Sequence, residues 1–322
     1  MKSTLFLLIF IFLFGSCDQK GGWEVLETSN EASPRHENSF VELDGKFYAL
    51  GGRTDRPIEE FDPKTNTWKQ LGDSPVNFHH FQALAFEGEI YVIGALTGAY
   101  PHEKPIENFL IFNPKTSTWR EGPKIPADRL RGSVGVFSRN GKIYLVCGIQ
   151  DGHWDGHVAW FDEYDPKTDT WKVLPDAPRP RDHFGVALVG DRAYVAGGRT
   201  SYAAIDKVLE LTISEVDYYD FNTGTWHTEK NGLPTPRGGS SSIAHNEFLV
   251  VMNGESSTQE LSHSEVEVLN TKTGEWSNLP ELEQGRHGTG IIYFEGKLYV
   301  VAGSAERYGG PELNDIEFLE WK

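Results

Sequence analysis

The chain has 322 residues, 38% of them hydrophobic, with nine Trp and nineteen Phe. That is long for one ordinary domain but suits a single closed repeat array with a packed core. Its formal charge of −17 excludes non-specific nucleic-acid binding, and docking on anionic lipid through a basic patch, while leaving room for a local basic pocket.

From the N-terminus, Lys2 precedes an unbroken apolar run, Leu5 to Phe14, that ends at Gly15-Ser16-Cys17. Ten apolar residues are too short to span a bilayer, so this is the core of a signal peptide and lies outside the fold. Small residues before a Cys, with polar Asp18-Gln19-Lys20 after it, resemble the bacterial lipobox, whose Cys is acylated and becomes the first mature residue. Phe14 stands where that signal most often has Leu. Residues 1–16 are therefore expected to be leader, Cys17 the lipidation site and 17–22 a short tether. The product would be lipid-anchored in a bacterial cell envelope, periplasmic or surface-exposed, and meet a membrane only through that anchor. Cys147 is then the sole thiol; its place in the β run Ile143-Tyr-Leu-Val-Cys-Gly148 makes it a small core residue rather than a nucleophile.

A β run ending in a small pair then recurs six times: Tyr48-Ala-Leu-Gly-Gly52, Tyr91-Val-Ile-Gly-Ala95, Tyr144-Leu-Val-Cys-Gly148, Tyr194-Val-Ala-Gly-Gly198, Val250-Val-Met-Asn-Gly254 and Tyr299-Val-Val-Ala-Gly303. Hairpin signals such as Asp44-Gly45, Asn140-Gly141 and Glu295-Gly296 precede the runs. A second hairpin signature follows most of them, as in Asp62-Pro-Lys-Thr-Asn-Thr-Trp68, Asp165-Pro-Lys-Thr-Asp-Thr-Trp171 and Phe221-Asn-Thr-Gly-Thr-Trp226. Two hairpins per repeat make four antiparallel strands, one propeller blade. The small pairs are expected to let inner strands crowd near the axis, and the Trp to fill the gap between blades.

This pattern resembles the kelch repeat and covers residues 23–322. The resemblance implies an all-β, six-bladed β-propeller. The sixth copy stops after Ile316-Glu-Phe-Leu-Glu320, while Trp23-Glu-Val-Leu26 reads as an orphan outer strand matching Trp68-Lys-Gln-Leu71. The N-terminal strand is therefore expected to complete the last blade and remove the open edge.

Function on such a scaffold is expected in the loops at one channel mouth. Thirteen residues before each β run stand Arg35, Phe78, Arg131, Arg181, Arg237 and Arg286, and the next two columns add His36, His79, His80, His183 and His287. Arg is suited to carboxylate or phosphate, and in kelch domains that bind acidic peptides Arg in this column lines the mouth. The longer loops contribute Arg199 and Glu255, with Trp154, Tyr202 and Tyr308 as faces for sugar stacking. The expected ligand is an acidic sugar or glycan, or an acidic peptide segment, held by a non-catalytic module. No cofactor and no metal is expected: His153, Asp155 and His157 sit on a Gly-rich loop that fixes no geometry. The Glu255…His263 spacing is loosely similar to the iron loop of plant kelch specifier proteins, with Gln259 at its middle acidic position.

The alternative is a sugar-modifying enzyme. Asn253-Gly-Glu255 is similar to a stretch of the kelch sialic-acid (N-acetylneuraminate) epimerase family, in which Arg would hold the carboxylate while His or Glu moves a proton; that family's long insertions are absent. The propeller also resembles galactose oxidase, but the copper radical chemistry needs a Cys crosslinked to Tyr, and Cys147 lies in a core strand.

Overall fold

The computed structural model describes residues 21–322; the expected leader, Cys17 and the first part of the expected tether lie outside the described residues. Six four-stranded antiparallel sheets follow one another. In the first, Asn38–Leu43, Lys46–Gly51, Pro57–Asp62 and Thr67–Asp73 pair in sequence order from the axis outward. Asp44 and Gly45 take φ of 54° and 77°, the left-handed pair that matches hairpin twist, and Asn140-Gly141 and Glu295-Gly296 repeat it.

Closure follows the expectation. Glu24–Val25 pairs with Ile316–Glu320, so the last sheet runs from the N-terminal strand inward to Ile291–Phe294. The Leu26 N–H donates to Ile316 O at 2.8 Å, and Trp23 is buried with Leu282, Leu319 and Trp321.

Each apolar cluster draws on two neighbouring blades. Phe40, Phe47, Phe61 and Trp68 of the first pack against Ile292, Tyr299 and Val301 of the sixth. Trp119, Trp226 and Trp276 each donate an indole N–H to a carbonyl of the preceding blade's outer edge: Asp73, Pro175 and Asn231, at 3.2, 2.7 and 3.2 Å. Trp23 makes the same bond to Pro280 O at 2.9 Å, which shows that it is the sixth blade's outer Trp.

The small pairs have a more local cause than crowding at the axis. They end the second strand in left-handed backbone, with φ of 55° at Cys147, 121° at Gly148 and 124° at Gly254. A Cβ on Gly148 would lie 2.7 Å from Arg131 Cγ, and one on Gly254 would lie 2.9 Å from Arg237 Cγ. The glycines make room for arginine.

Candidate binding site at the channel mouth

Those arginines do not line the mouth. Arg35, Arg131, Arg181, Arg237 and Arg286 are each 0% exposed, and this corrects their expected role as ligand-binding residues. Arg237 is representative: Nε donates to Asn253 O at 2.7 Å, Nη2 to Val251 O at 3.1 Å, and Nη1 meets Glu267 at 2.5 Å. The others do likewise with Glu59 (2.6 Å), Asp162 (2.7 Å), Asp217 (2.6 Å) and Glu317. Each of these five carboxylates sits on its blade's third strand. In the second blade the arginine position holds Phe78 and the carboxylate position Leu110, and the two share one apolar cluster. Both members of the pair are exchanged together, as expected for an internal brace. A fully desolvated guanidinium is tolerated only with such a partner.

Two residues beyond each brace the chain turns through left-handed backbone. Glu37, His80, Ser133, His183, Gly239 and Gly288 have φ between 51° and 66° and together line a neck of about 50 Å³. Backbone bonds link them around the ring: His80 N–H to Glu37 O at 3.1 Å, Gly239 N–H to His183 O at 2.7 Å and Gly288 N–H to Gly239 O at 3.1 Å. On one side of the neck the first strands enclose a chamber of about 370 Å³ that includes Phe81, Gln82 and Phe184.

On the other side a cavity of about 380 Å³ opens between the longer loops. Arg53, Arg199, His153, Glu37, Glu255, Tyr100, Tyr308 and the Val208-Leu209 stretch line it. Arg199 is buried and meets Glu255 Oε1 at 2.5 Å, while Glu255 Oε2 accepts the Tyr308 N–H at 2.9 Å. Burial alone would raise the Glu255 pKa, but His287 and Arg199 hold it well below the carboxylate range. Arg53 meets the buried Glu103 at 2.8 Å. Glu103 also engages His153 Nδ1 at 3.0 Å and is likewise held low against its burial, by His153 and Arg53.

The histidines converge deeper in. His80, His153 and His183 have ring centroids 4.6–5.0 Å apart. Burial, with Arg53 next, pushes the His80 pKa well down. Burial, with Arg199 next, lowers that of His183, so both rings are neutral at pH 7. His183 Nδ1 bonds Asp182, whose carboxylate also accepts the Ser201 N–H at 2.9 Å and its hydroxyl at 2.7 Å. His287 Nε2 lies 3.6 Å from Glu37 and 3.7 Å from Glu255. His36 is tied to Glu312 at 2.7 Å, beside the mouth.

Of the predicted residues, the structure brings together Arg199, Glu255, His80, His183 and His287, with His36 at the margin. Trp154 stays 38% exposed against His102, at 4.7 Å and outside the cavity lining. Arg53 and Tyr100 come from the longer mouth loops that follow the first and second β runs, whereas Glu37, Glu103 and Asp182 join the site without any expectation from the sequence. Asn253, of the Asn-Gly-Glu stretch, is 0% exposed and its carbonyl serves the Arg237 brace. Cys147 is sealed in the core, its thiol pushed up to about 12 by burial.

The architecture is a closed six-bladed propeller with a polar, histidine-lined mouth. The KLHDC2/KLHL20/DRC7 Kelch-repeats domain matches residues 83–303, and a Kelch motif matches residues 34–75. The chain belongs to the kelch-repeat family. Kelch-like protein terF of Aspergillus terreus is 24% identical over 84% of the chain, and Kelch-like protein 23 of Homo sapiens is 24% identical over 90%. The chain spans 61% of the first and 51% of the second. The solved structure titled "Structure of YjhT" superposes with a TM-score of 0.74 at 16% identity, covering 89% of this chain and 95% of its own. That likeness concerns the fold.

Proposed function

We propose that the chain is an exported, non-catalytic binding module that captures an anionic segment of a glycan or peptide on the mouth face. The observation that carries this reading is the placement of exposed apolar side chains. Among the described residues nine large ones stay exposed, and six of them are Tyr100, Trp154, Ile205, Leu211, Leu261 and Tyr308. All six stand on loops between a blade's second and third strands, and two of them, Tyr100 and Tyr308, line the 380 Å³ cavity. Apolar and aromatic side chains clustered around a polar pocket are the composition of a recognition surface. The cationic contribution comes from Arg53, Arg56 and Arg307, whose side chains stay 23%, 29% and 26% exposed, and not from the sealed brace column. A protein-interaction role is the coarser reading that the kelch relatives support.

The epimerase alternative draws less support. Glu255, its acid–base candidate, is locked between Arg199 and the Tyr308 N–H. A carboxylate held that low is a weak general base and is not protonated to act as an acid at neutral pH. Export rests on the Leu5–Phe14 run and Cys17. It is tested by metabolic labelling with an alkyne fatty acid, which Cys17→Ser should abolish. Binding is tested by a thermal-shift screen of uronic-acid oligosaccharides, a Glu-rich peptide, neutral oligosaccharides and a Lys-rich peptide. Stabilisation by an acidic member is expected, reduced in Tyr308→Ala and Arg53→Ala. Stabilisation only by the basic peptide would overturn the anionic reading.

A further inference from the structure

We propose that His80, His153 and His183 form a binding site for one divalent transition-metal ion of the zinc class, with a coordination position open toward the mouth cavity. One ligand atom from each residue lies within 4.8 Å of the others, and all three residues are buried. The rings meet edge to face, at 64–78°, so their edges converge instead of stacking. Zn–N bonds of about 2.0–2.1 Å put tetrahedral nitrogen ligands roughly 3.3 Å apart, a modest contraction from this arrangement.

The second atom of each ring is already held. Nδ1 of His183 bonds Asp182, Nδ1 of His153 faces Glu103 at 3.0 Å, and Nδ1 of His80 faces His79 Nδ1 at 2.6 Å. A carboxylate on the far nitrogen fixes tautomer and orientation, as in the outer shells of metal-binding histidines. The nitrogens left over are Nε2 atoms. Those of His80 and His183 are buried and have no hydrogen-bond partner. Leaving such groups unsatisfied costs folding free energy, and a shared cation would satisfy both at once.

The surroundings suit a positive charge. Glu37 Oε2 lies 3.3 Å from His80 Nε2 without hydrogen-bond geometry, placing a carboxylate where a fourth ligand or the acceptor of a metal-bound water would stand. Buried Glu103 and Asp182 stand behind the rings. An all-imidazole donor set with one adjacent carboxylate selects zinc, copper, nickel or cobalt over magnesium or calcium. His80 and His183 line the neck and His153 the cavity above it, so an ion there would be reached from the mouth and would present its open position to a ligand oxygen. This site does not depend on what the mouth face captures.

The full chain, purified through a histidine-free tag and stripped with chelator, is titrated with Co²⁺ and then Zn²⁺. One equivalent of Co²⁺ with the visible absorption of a four- or five-coordinate site, displaced by Zn²⁺, is expected. His80→Ala and His183→Ala should weaken binding more than 100-fold. Asp182→Asn, which releases a ring without removing it, should weaken it by about 10- to 100-fold. His227→Ala, on the exposed outer strand Thr225–Thr228, should leave it unchanged. Histidine side-chain ¹⁵N shifts of the wild-type protein give a readout free of substitutions: three Nε2 resonances should move on adding Zn²⁺. No saturable uptake by the wild-type chain, or uptake that His80→Ala and His183→Ala do not change, would overturn the site.

Discussion

Replacing Arg237 distinguishes a brace from a ligand contact. The side chain is 0% exposed, its partner Glu267 is 2% exposed, and it satisfies the carbonyls of Asn253, Val251 and Thr235 besides. Arg237→Met leaves a buried carboxylate unpaired and several carbonyls without donors, which costs about 3–5 kcal/mol. The double variant Arg237→Phe/Glu267→Leu reproduces what the second blade does with Phe78 and Leu110. It should recover at least about 2 kcal/mol of that loss, because exchanging both members of a buried pair for apolar groups is often near neutral. Urea unfolding of the wild type, Arg237→Met, the singles Arg237→Phe and Glu267→Leu, and the double variant, followed by Trp fluorescence, closes the cycle. A cost below about 1 kcal/mol for Arg237→Met, or a double variant destabilised by the sum of its singles, would show that Arg237 is not an internal brace.

Three further outcomes follow from the same structure. Trp23→Ala removes a buried ring and its bond to Pro280, and should cost about 3–5 kcal/mol, read by differential scanning calorimetry; deletion of Trp23–Leu26 should cost more, and an unchanged transition would refute N-terminal closure. Gly254→Ala puts a Cβ at φ 124° and within 2.9 Å of Arg237, so a loss of more than about 1 kcal/mol is expected in urea unfolding. His263 is buried, and burial, followed by Arg237, lowers its pKa below the ordinary 6.5. The unfolded chain then takes up that proton first, so this contribution to stability falls as pH drops below about 6.5. Melting curves from pH 7.5 to 5 should show a smaller decline in His263→Gln than in the wild type.

The blades were legible because each is specified locally. Glycine-containing hairpin turns, the Tyr-Val runs and the outer Trp recur, and Trp23 announced itself as an outer-strand residue by the same pattern. The arginine column was visible but its meaning was not, since a charged column at a loop reads as surface until its partner is found. That partner was also in the sequence: the third-strand positions read Glu59, Leu110, Asp162, Asp217, Glu267 and Glu317, acidic wherever the other column has Arg and apolar where it has Phe78. Comparing the two columns would have revealed the brace. The histidine cluster was less accessible. His80 and His183 occupy equivalent positions in the second and fourth blades, but His153 comes from a loop of the third and reaches them only because the His153 N–H bonds Pro101 O at 2.9 Å and Ala203 N–H bonds His153 O at 2.8 Å. Such contacts between loops have no period to detect. Glu103, buried behind His153, gave no signal for the same reason.

The proposed binding surface is the set of loops around the 380 Å³ cavity, and the arginine column takes no part in it. Isothermal titration of the best-stabilising acidic oligosaccharide or peptide into the wild type, Tyr308→Ala/Arg53→Ala and Arg237→Phe/Glu267→Leu tests it directly. At least a tenfold loss of affinity is expected in the first double variant and none in the second. Equal affinity in the wild type and Tyr308→Ala/Arg53→Ala, with loss confined to the brace variant, would contradict it.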